Sequence, residues 1–195
     1  VDERDVKKIE ALGVRDSKTL TPSRRRRLAE EILKVVRDHC IVELQPAEID
    51  RVVKTGRKLH RLNRLEARAM AEVISRLRPD IAYIDASDVL PERFSRHVEE
   101  ELSFNVKIVS EHRADKTYPV VSAASIIAKV ERDRAIDDLR RRYGNLGSGY
   151  ASDKRTIKFL EEWMRRHGDL PDFVRRSWAP ARRIKMAYDE SQMRL

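Results

Sequence analysis

The 195-residue sequence is short of cysteine, glycine and long apolar runs, and each shortage excludes something. With Cys40 as its single cysteine the chain can form no internal disulfide, and no Cys and His stand at zinc-ligand spacing. The setting "HCIVEL" reads Cys40 as a buried strand residue rather than a nucleophile, and a reducing, cytoplasmic location is expected. Six glycines, seven prolines and no internal repeat leave no low-complexity linker. The longest weakly polar run, "PVVSAASIIA", is too short to span a bilayer, and the first thirty residues are too densely charged for a secretory signal. No membrane partner is expected.

Charge is what the chain has in plenty. Charged residues make up 38% and apolar residues 41%, with a formal net charge of +9 and arginine well ahead of lysine, a usage compatible with a heat-adapted source. The length fits one domain with a small appendage and a real core. From Arg140 onward there are fourteen Lys and Arg against seven Asp and Glu, so a net of +7 lies in the last 56 residues. An excess of this kind marks either a polyanion partner such as nucleic acid or a solvated helical surface.

Hydrophobic periodicity and breaker residues predict alternating helices and strands. "TPSRRRRLAEEILKVVRDH" reads as a helix with Thr21 as N-cap, Pro22 at its first position, and Leu28, Ile32, Val35 and Val36 on one face. "CIVELQP" reads as a strand. "LHRLNRLEARAMAEVISRLRPD" reads as a helix burying Leu62, Leu65, Ala69, Val73 and Leu77 and ended by Pro79. The strand "IAYIDA", the helix "PERFSRHVEEEL", the strand "FNVKIVS" and a long helix "PVVSAASIIAKVERDRAIDDLRRRYG" follow. After Gly149 the pattern is helical only, in "SDKRTIKFLEEWMRRHG" and "PDFVRRSWAPARRIKMAYDE". The fold class expected is α/β, with an α/β domain over 1–143 and a basic helical subdomain over 144–195.

Two carboxylates stand out against this frame. "IAYIDA" is apolar until Asp85, and Asp115 follows the next strand, so parallel strands would bring both to one edge of the sheet. Either Asp alone has an ordinary use as a cap or turn residue. Two at equivalent strand ends need a cation between them, and hard oxygen ligands select Mg²⁺ or Mn²⁺, with the carboxylates expected roughly 4 to 8 Å apart. Asp88 reads as a cap of the turn into "PERF", and His112 as structural.

Four blocks carry a family resemblance: "DSKTL" (16–20), "AYIDASDVLPERF" (82–94), "EHRADKTYPVVSAASIIAKVERDR" (111–134) and "GSGYASD" (147–153). In this order and spacing they resemble the archaeal ribonuclease HII family over nearly the whole chain. The resemblance implies an RNase H-like mixed sheet flanked by helices, with a C-terminal helical extension. It also implies endonucleolytic cleavage of RNA in RNA/DNA hybrids and on the 5′ side of ribonucleotides embedded in duplex DNA, leaving 3′-hydroxyl and 5′-phosphate ends. Family members use four carboxylates to hold two divalent ions, Mg²⁺ or Mn²⁺. By motif position Asp85 resembles the third of these and Asp115 the fourth.

Nucleic-acid contacts are carried over in the same way. Ser17 and Lys18 resemble residues that meet the backbone near the cut phosphate. Tyr150, beside Ser148 in "GSGYASD", resembles the aromatic that stacks at the junction nucleotide, which requires it to be partly exposed. Arg155 is a candidate phosphate contact, and Lys154 stands where relatives often have proline. Trp163 and Trp178 read as packing residues of the helical tail. The family is usually monomeric, and no clamp-binding tail is legible after Tyr188. One departure stands out: the family's opening Asp-Glu-Ala-Gly-Arg/Lys-Gly strand motif, source of the first two carboxylates, has no counterpart in "VDERDVKKIEALGVRDSK". A longer protein is therefore expected. The chain lacking that hairpin, and with it a central strand pair, is expected to fold poorly and to be inactive. A catalytically silent nucleic-acid-binding fragment is the alternative if the protein begins at Val1. A different RNase H-fold nuclease, such as a resolvase or transposase core, is disfavoured by "GSGYASD" and "DSKTL".

Overall fold

The alternation read from the sequence folds as a mixed α/β structure. A computed structural model describes residues 1–14, 20–54 and 58–193, with backbone alone at 58–60. A 3₁₀ turn (Glu3–Asp5) leads into α1 (Val6–Ala11), α2 (Pro22–Val35), α3 (Pro46–Lys54) and α4 (Lys58–Leu77). β1 (Ile81–Asp85), α5 (Pro91–Glu99), β2 (Lys107–Glu111), α6 (Ala114–Thr117) and α7 (Pro119–Tyr143) follow, and α8 (Lys154–His167) and α9 (Ala179–Gln192) close the described chain. Contacts group these residues into two compact units, Val1–Glu43 with Asn63–Arg132, and Leu44–Leu62 with Asp133–Leu195. The boundary expected at 143/144 falls within the second of these, which also takes in 44–62.

In the first unit β1 and β2 run parallel, from Ile81 opposite Lys107 to Asp85 opposite Glu111. Parallel neighbours need a crossover, and α5 supplies it. Alternation along β1 turns Ala82 and Ile84 inward, where they meet Ala67, Ala71 and Ile74 of α4 and Phe94 and Val98 of α5. The face of α4 buried there differs from the expected one: Leu65, Ala67, Ala71 and Ile74 are buried, while Leu62, Ala69, Val73 and Leu77 are half-buried. A helix packed on a sheet favours small side chains at closest approach, so two alanines face the strands and larger aliphatics flank them.

A second cluster joins α1, α2 and α7 through Ile9, Val14, Leu28, Ala29, Ile32, Ala123, Ile126 and Val130. α2 starts as expected: the Thr21 hydroxyl accepts the Arg24 N–H at 3.3 Å and Pro22 occupies the first turn. The small opening residues of α7 serve this packing, with Ser122, Ala123 and Ile126 all buried.

"CIVELQP" is not a strand. Residues 40–45 make no ladder among the described residues, although burial alternates along Ile41–Gln45 as in a half-covered extended chain. The sequence signal was one of local extension, whereas a strand also needs a hydrogen-bonded neighbour. Residues 171–178 are turns rather than the first half of a helix, because Asp50 of α3 draws in their backbone: its carboxylate accepts the Arg176 and Ser177 N–H groups at 2.7 Å each. Burial alone would raise the Asp50 carboxyl, but hydrogen bonds from Ser177 and Arg176 outweigh it and hold it below the usual range. α3 and the single-turn α6 had no foreseen counterpart. α8 and α9 pack through Met164, Leu170 and Ala181, with Trp178 against them, and Trp163 sits among Tyr143, Phe159 and Phe173, so both tryptophans pack as expected.

Candidate active site

The parallel pairing decides where the carboxylates emerge. Asp85 ends β1 and Glu111 ends β2 directly opposite it, and the Ala86 N–H donates to the Glu111 carbonyl at 3.0 Å to extend the ladder by one residue. Residues in register on parallel strands share a sheet face, so Tyr83, Asp85, Val109 and Glu111 lie together on the face opposite Ala82 and Ile84. The chain then turns through His112 and Arg113, the latter in the left-handed region at φ 58°. That turn starts α6, which lies against β1 and carries Asp115 at its second position. Asp85 and Asp115, both half-buried, thus emerge at the same carboxyl edge of the sheet.

Three side chains brace this edge. The His112 Nε2 lies 3.1 Å from the Val89 carbonyl, which gives the imidazole the structural use expected of it. The Ser122 hydroxyl, from the first turn of α7, donates to the Asp115 carbonyl. Tyr118 donates its hydroxyl to Glu111 Oε1 at 2.7 Å while its ring stands 4.5 Å from the ring of Tyr83. The bond to a carboxylate, with some burial, raises the phenol above its ordinary value. Glu111, Tyr118 and Tyr83 were not foreseen as a group. The period-two spacing of Tyr83 and Asp85 was legible, but the reach of Tyr118 back to β2 depends on the turn between them.

Asp88 belongs to the frame. Its side chain is fully buried and accepts the Leu90 N–H at 3.0 Å, Asn63 Nδ2 at 2.9 Å and Arg93 Nε at 2.9 Å. The Arg93 guanidinium first, then the Leu90 and Asn63 donors, hold its carboxyl far below the usual range. It fixes the turn into α5, as "PERF" suggested.

In the second unit, Ser148–Tyr150 form a turn tied to the start of α8. Asp153 caps that helix, accepting the Arg155 N–H at 3.0 Å, and also takes the Ser148 N–H at 2.8 Å. The Gly149 N–H donates to Thr156 Oγ1 at 3.0 Å. Arg155, a candidate phosphate contact, pairs its guanidinium with both Asp153 oxygens, at 3.0 and 3.1 Å. Tyr150 is 51% exposed and so is not a core residue. Ser17 and Lys18 lie outside the described residues.

No group of three or more His, Cys, Asp or Glu stands ready to hold a metal ion among the described residues. Asp85 and Asp115 fit a hard cation in kind, since Mg²⁺ commonly takes one or two protein carboxylates and completes its shell with water and substrate phosphate. No helix among the described residues is long and apolar enough to cross a membrane.

The fold is that of the type 2 ribonucleases H. Bst-RNase HIII, solved in complex with Mn²⁺, shares it at a TM-score of 0.77 over 97% of this chain and 63% of that one, with 21% identity. A closer likeness is the crystal structure of ribonuclease H2 from Pyrococcus horikoshii OT3, with a TM-score of 0.88 and 38% identity over 97% of this chain and 88% of that one. The ribonuclease HII of Thermococcus sibiricus is 47% identical over all of this chain and 86% of its own length. The family model for ribonuclease HII matches residues 1–181, and the chain belongs to that family.

Proposed function

We propose that the protein is a metal-dependent endoribonuclease that hydrolyses RNA in RNA/DNA hybrids and incises duplex DNA on the 5′ side of embedded ribonucleotides. The observation that carries this reading is the parallel pairing that ends on Asp85 and Glu111, with α6 presenting Asp115 at the same edge, in a chain of this family. When bound, a pair of Mg²⁺ or Mn²⁺ ions supplies an activated water on one side of the phosphorus and charge stabilisation for the leaving oxygen on the other. The part of the chain is to hold Asp85 and Asp115 as oxygen donors at that edge. A bond forms from the water oxygen to phosphorus and the bond from phosphorus to O3′ breaks, leaving a 3′-hydroxyl and a 5′-phosphate.

Ser148, Tyr150 and Arg155, with Ser17 and Lys18, form the nucleic-acid contacts in this reading, and the basic helical segment after residue 143 adds backbone attraction. The protein acts as a monomer in the cytoplasm. The test is cleavage by the full-length protein of a labelled hybrid and of a DNA duplex containing one ribonucleotide, in Mg²⁺ or Mn²⁺. Chelation should abolish both reactions. Asp85→Asn and Asp115→Asn should each lower kcat by about a hundredfold or more, the usual scale for removing one charge-stabilising group. Full activity in either variant would remove that carboxylate from the site.

A further inference from the structure

Tyr118 touches every part that sets the relation between Asp85 and Asp115. Its ring rests on Tyr83, two residues before Asp85 on the same strand face, with centroids 4.5 Å apart. Its hydroxyl reaches Glu111, the residue in register with Asp85, at 2.7 Å. Its backbone closes α6, the N–H donating to the Ala114 carbonyl at 2.9 Å, while its carbonyl accepts the Val121 and Ser122 N–H groups at 3.0 and 3.1 Å at the start of α7. One residue therefore ties the sheet edge to the single turn that carries Asp115. A four-residue helix has little stability of its own, so its place on the sheet rests on such anchors.

We propose that Tyr118 is a positioning residue for the reaction: its hydroxyl bond to Glu111 and its ring on Tyr83 fix α6 on β1 and so hold Asp115 at working distance from Asp85. This rests on the cation reading of that pair and adds a residue to it. Its contacts are with Tyr83, Glu111 and the backbone of α6 and α7, and through them it acts by keeping the two carboxylates from drifting apart. Outer partners that orient ligands commonly change metal affinity by about 10- to 100-fold when removed.

The experiment uses the full-length protein and four variants, Tyr118→Phe, Glu111→Ala, the two combined, and Asp85→Asn. Mn²⁺ binding is measured by electron paramagnetic resonance without substrate, and kcat, KM for the hybrid and thermal midpoints are recorded alongside. Tyr118→Phe keeps the ring and removes only the hydroxyl. We expect it to weaken Mn²⁺ binding about tenfold and to lower kcat while leaving KM for the hybrid unchanged. Glu111→Ala removes the acceptor and so deletes the same contact from the other side, and it should do the same even if the Tyr118 variant folds poorly. The combined variant should lose no more than about twofold beyond either, since both remove one interaction. Wild-type Mn²⁺ affinity in both single variants, with Asp85→Asn impaired, overturns the role of Tyr118 and leaves the cation reading standing. Mn²⁺ affinity unchanged in Asp85→Asn overturns that reading and this role with it.

Discussion

At the scale of the residue, the carboxylates divide by what surrounds them. Asp88 stands three positions after Asp85, yet its oxygens are filled by Asn63, Leu90 and Arg93 and its side chain is sealed from solvent. A carboxylate so committed cannot also take a metal without losing those donors. Asp88→Ala should cost about 1–3 kcal/mol in denaturant unfolding, the range for orphaned buried partners, with Arg93 partly relieved by its exposure. Turnover per folded molecule should not change. The effect should depend on pH, because the folded carboxyl titrates below its unfolded value near 3.9. The stabilisation is complete above that unfolded value and is lost as pH falls toward the folded one. The gap in stability between wild type and Asp88→Ala should therefore be flat from about pH 5 to 7 and shrink below about pH 4. A gap that stays constant down to pH 2.5 would contradict the assignment.

At the scale of the element, the turn before α8 shows how tightly the Tyr150 segment is set. Gly147 is left-handed at φ +72°, and a Cβ there would stand 2.7 Å from the Thr156 backbone nitrogen and 2.6 Å from its Oγ1. Those atoms belong to the first turn of α8 and cannot give way without breaking the cap at Asp153. Gly147→Ala should destabilise the protein by about 2–4 kcal/mol, combining left-handed strain with overpacking. A thermal melt would register this, and a neutral result would mean the turn has another conformation. The same scale explains one element that sequence reading missed and one that it misassigned. α6 is a single turn whose placement depends on Tyr118 and Ser122, and residues 171–178 are held as turns by Asp50, more than 120 positions away in sequence.

At the scale of the whole molecule, the charge distribution carries the expectation of a polyanion. Several cations of the C-terminal excess sit at helix C-termini, Arg140–Arg142 in the last turn of α7 and Arg165 and Arg166 in that of α8. Cations there favour the helix dipole as well as any phosphate, so position alone does not separate the two uses. Salt dependence does. Hybrid binding should weaken log-linearly with salt, and Arg165→Gln with Arg166→Gln should reduce the magnitude of the slope by about 1–2 if those side chains meet phosphate. An unchanged slope would leave them as dipole and surface residues.

The sequence by itself determined much of this protein. Apolar spacing placed α2, α4, α5, α7 and both strands, Thr21 and Pro22 marked the start of α2, and the four motif blocks pointed to the family. Each of these rests on local periodicity, a cap or an ordered set of side chains, which can be read without knowing what lies opposite. The tertiary structure alone decided that β1 and β2 run parallel, so that Asp85 faces Glu111. It also set the alanines of α4 against the sheet, left residues 40–45 extended without a ladder, and swung Tyr118 back onto β2. Those outcomes depend on which backbone a strand finds beside it and how closely two elements approach, and such partners are brought together only by the folded chain.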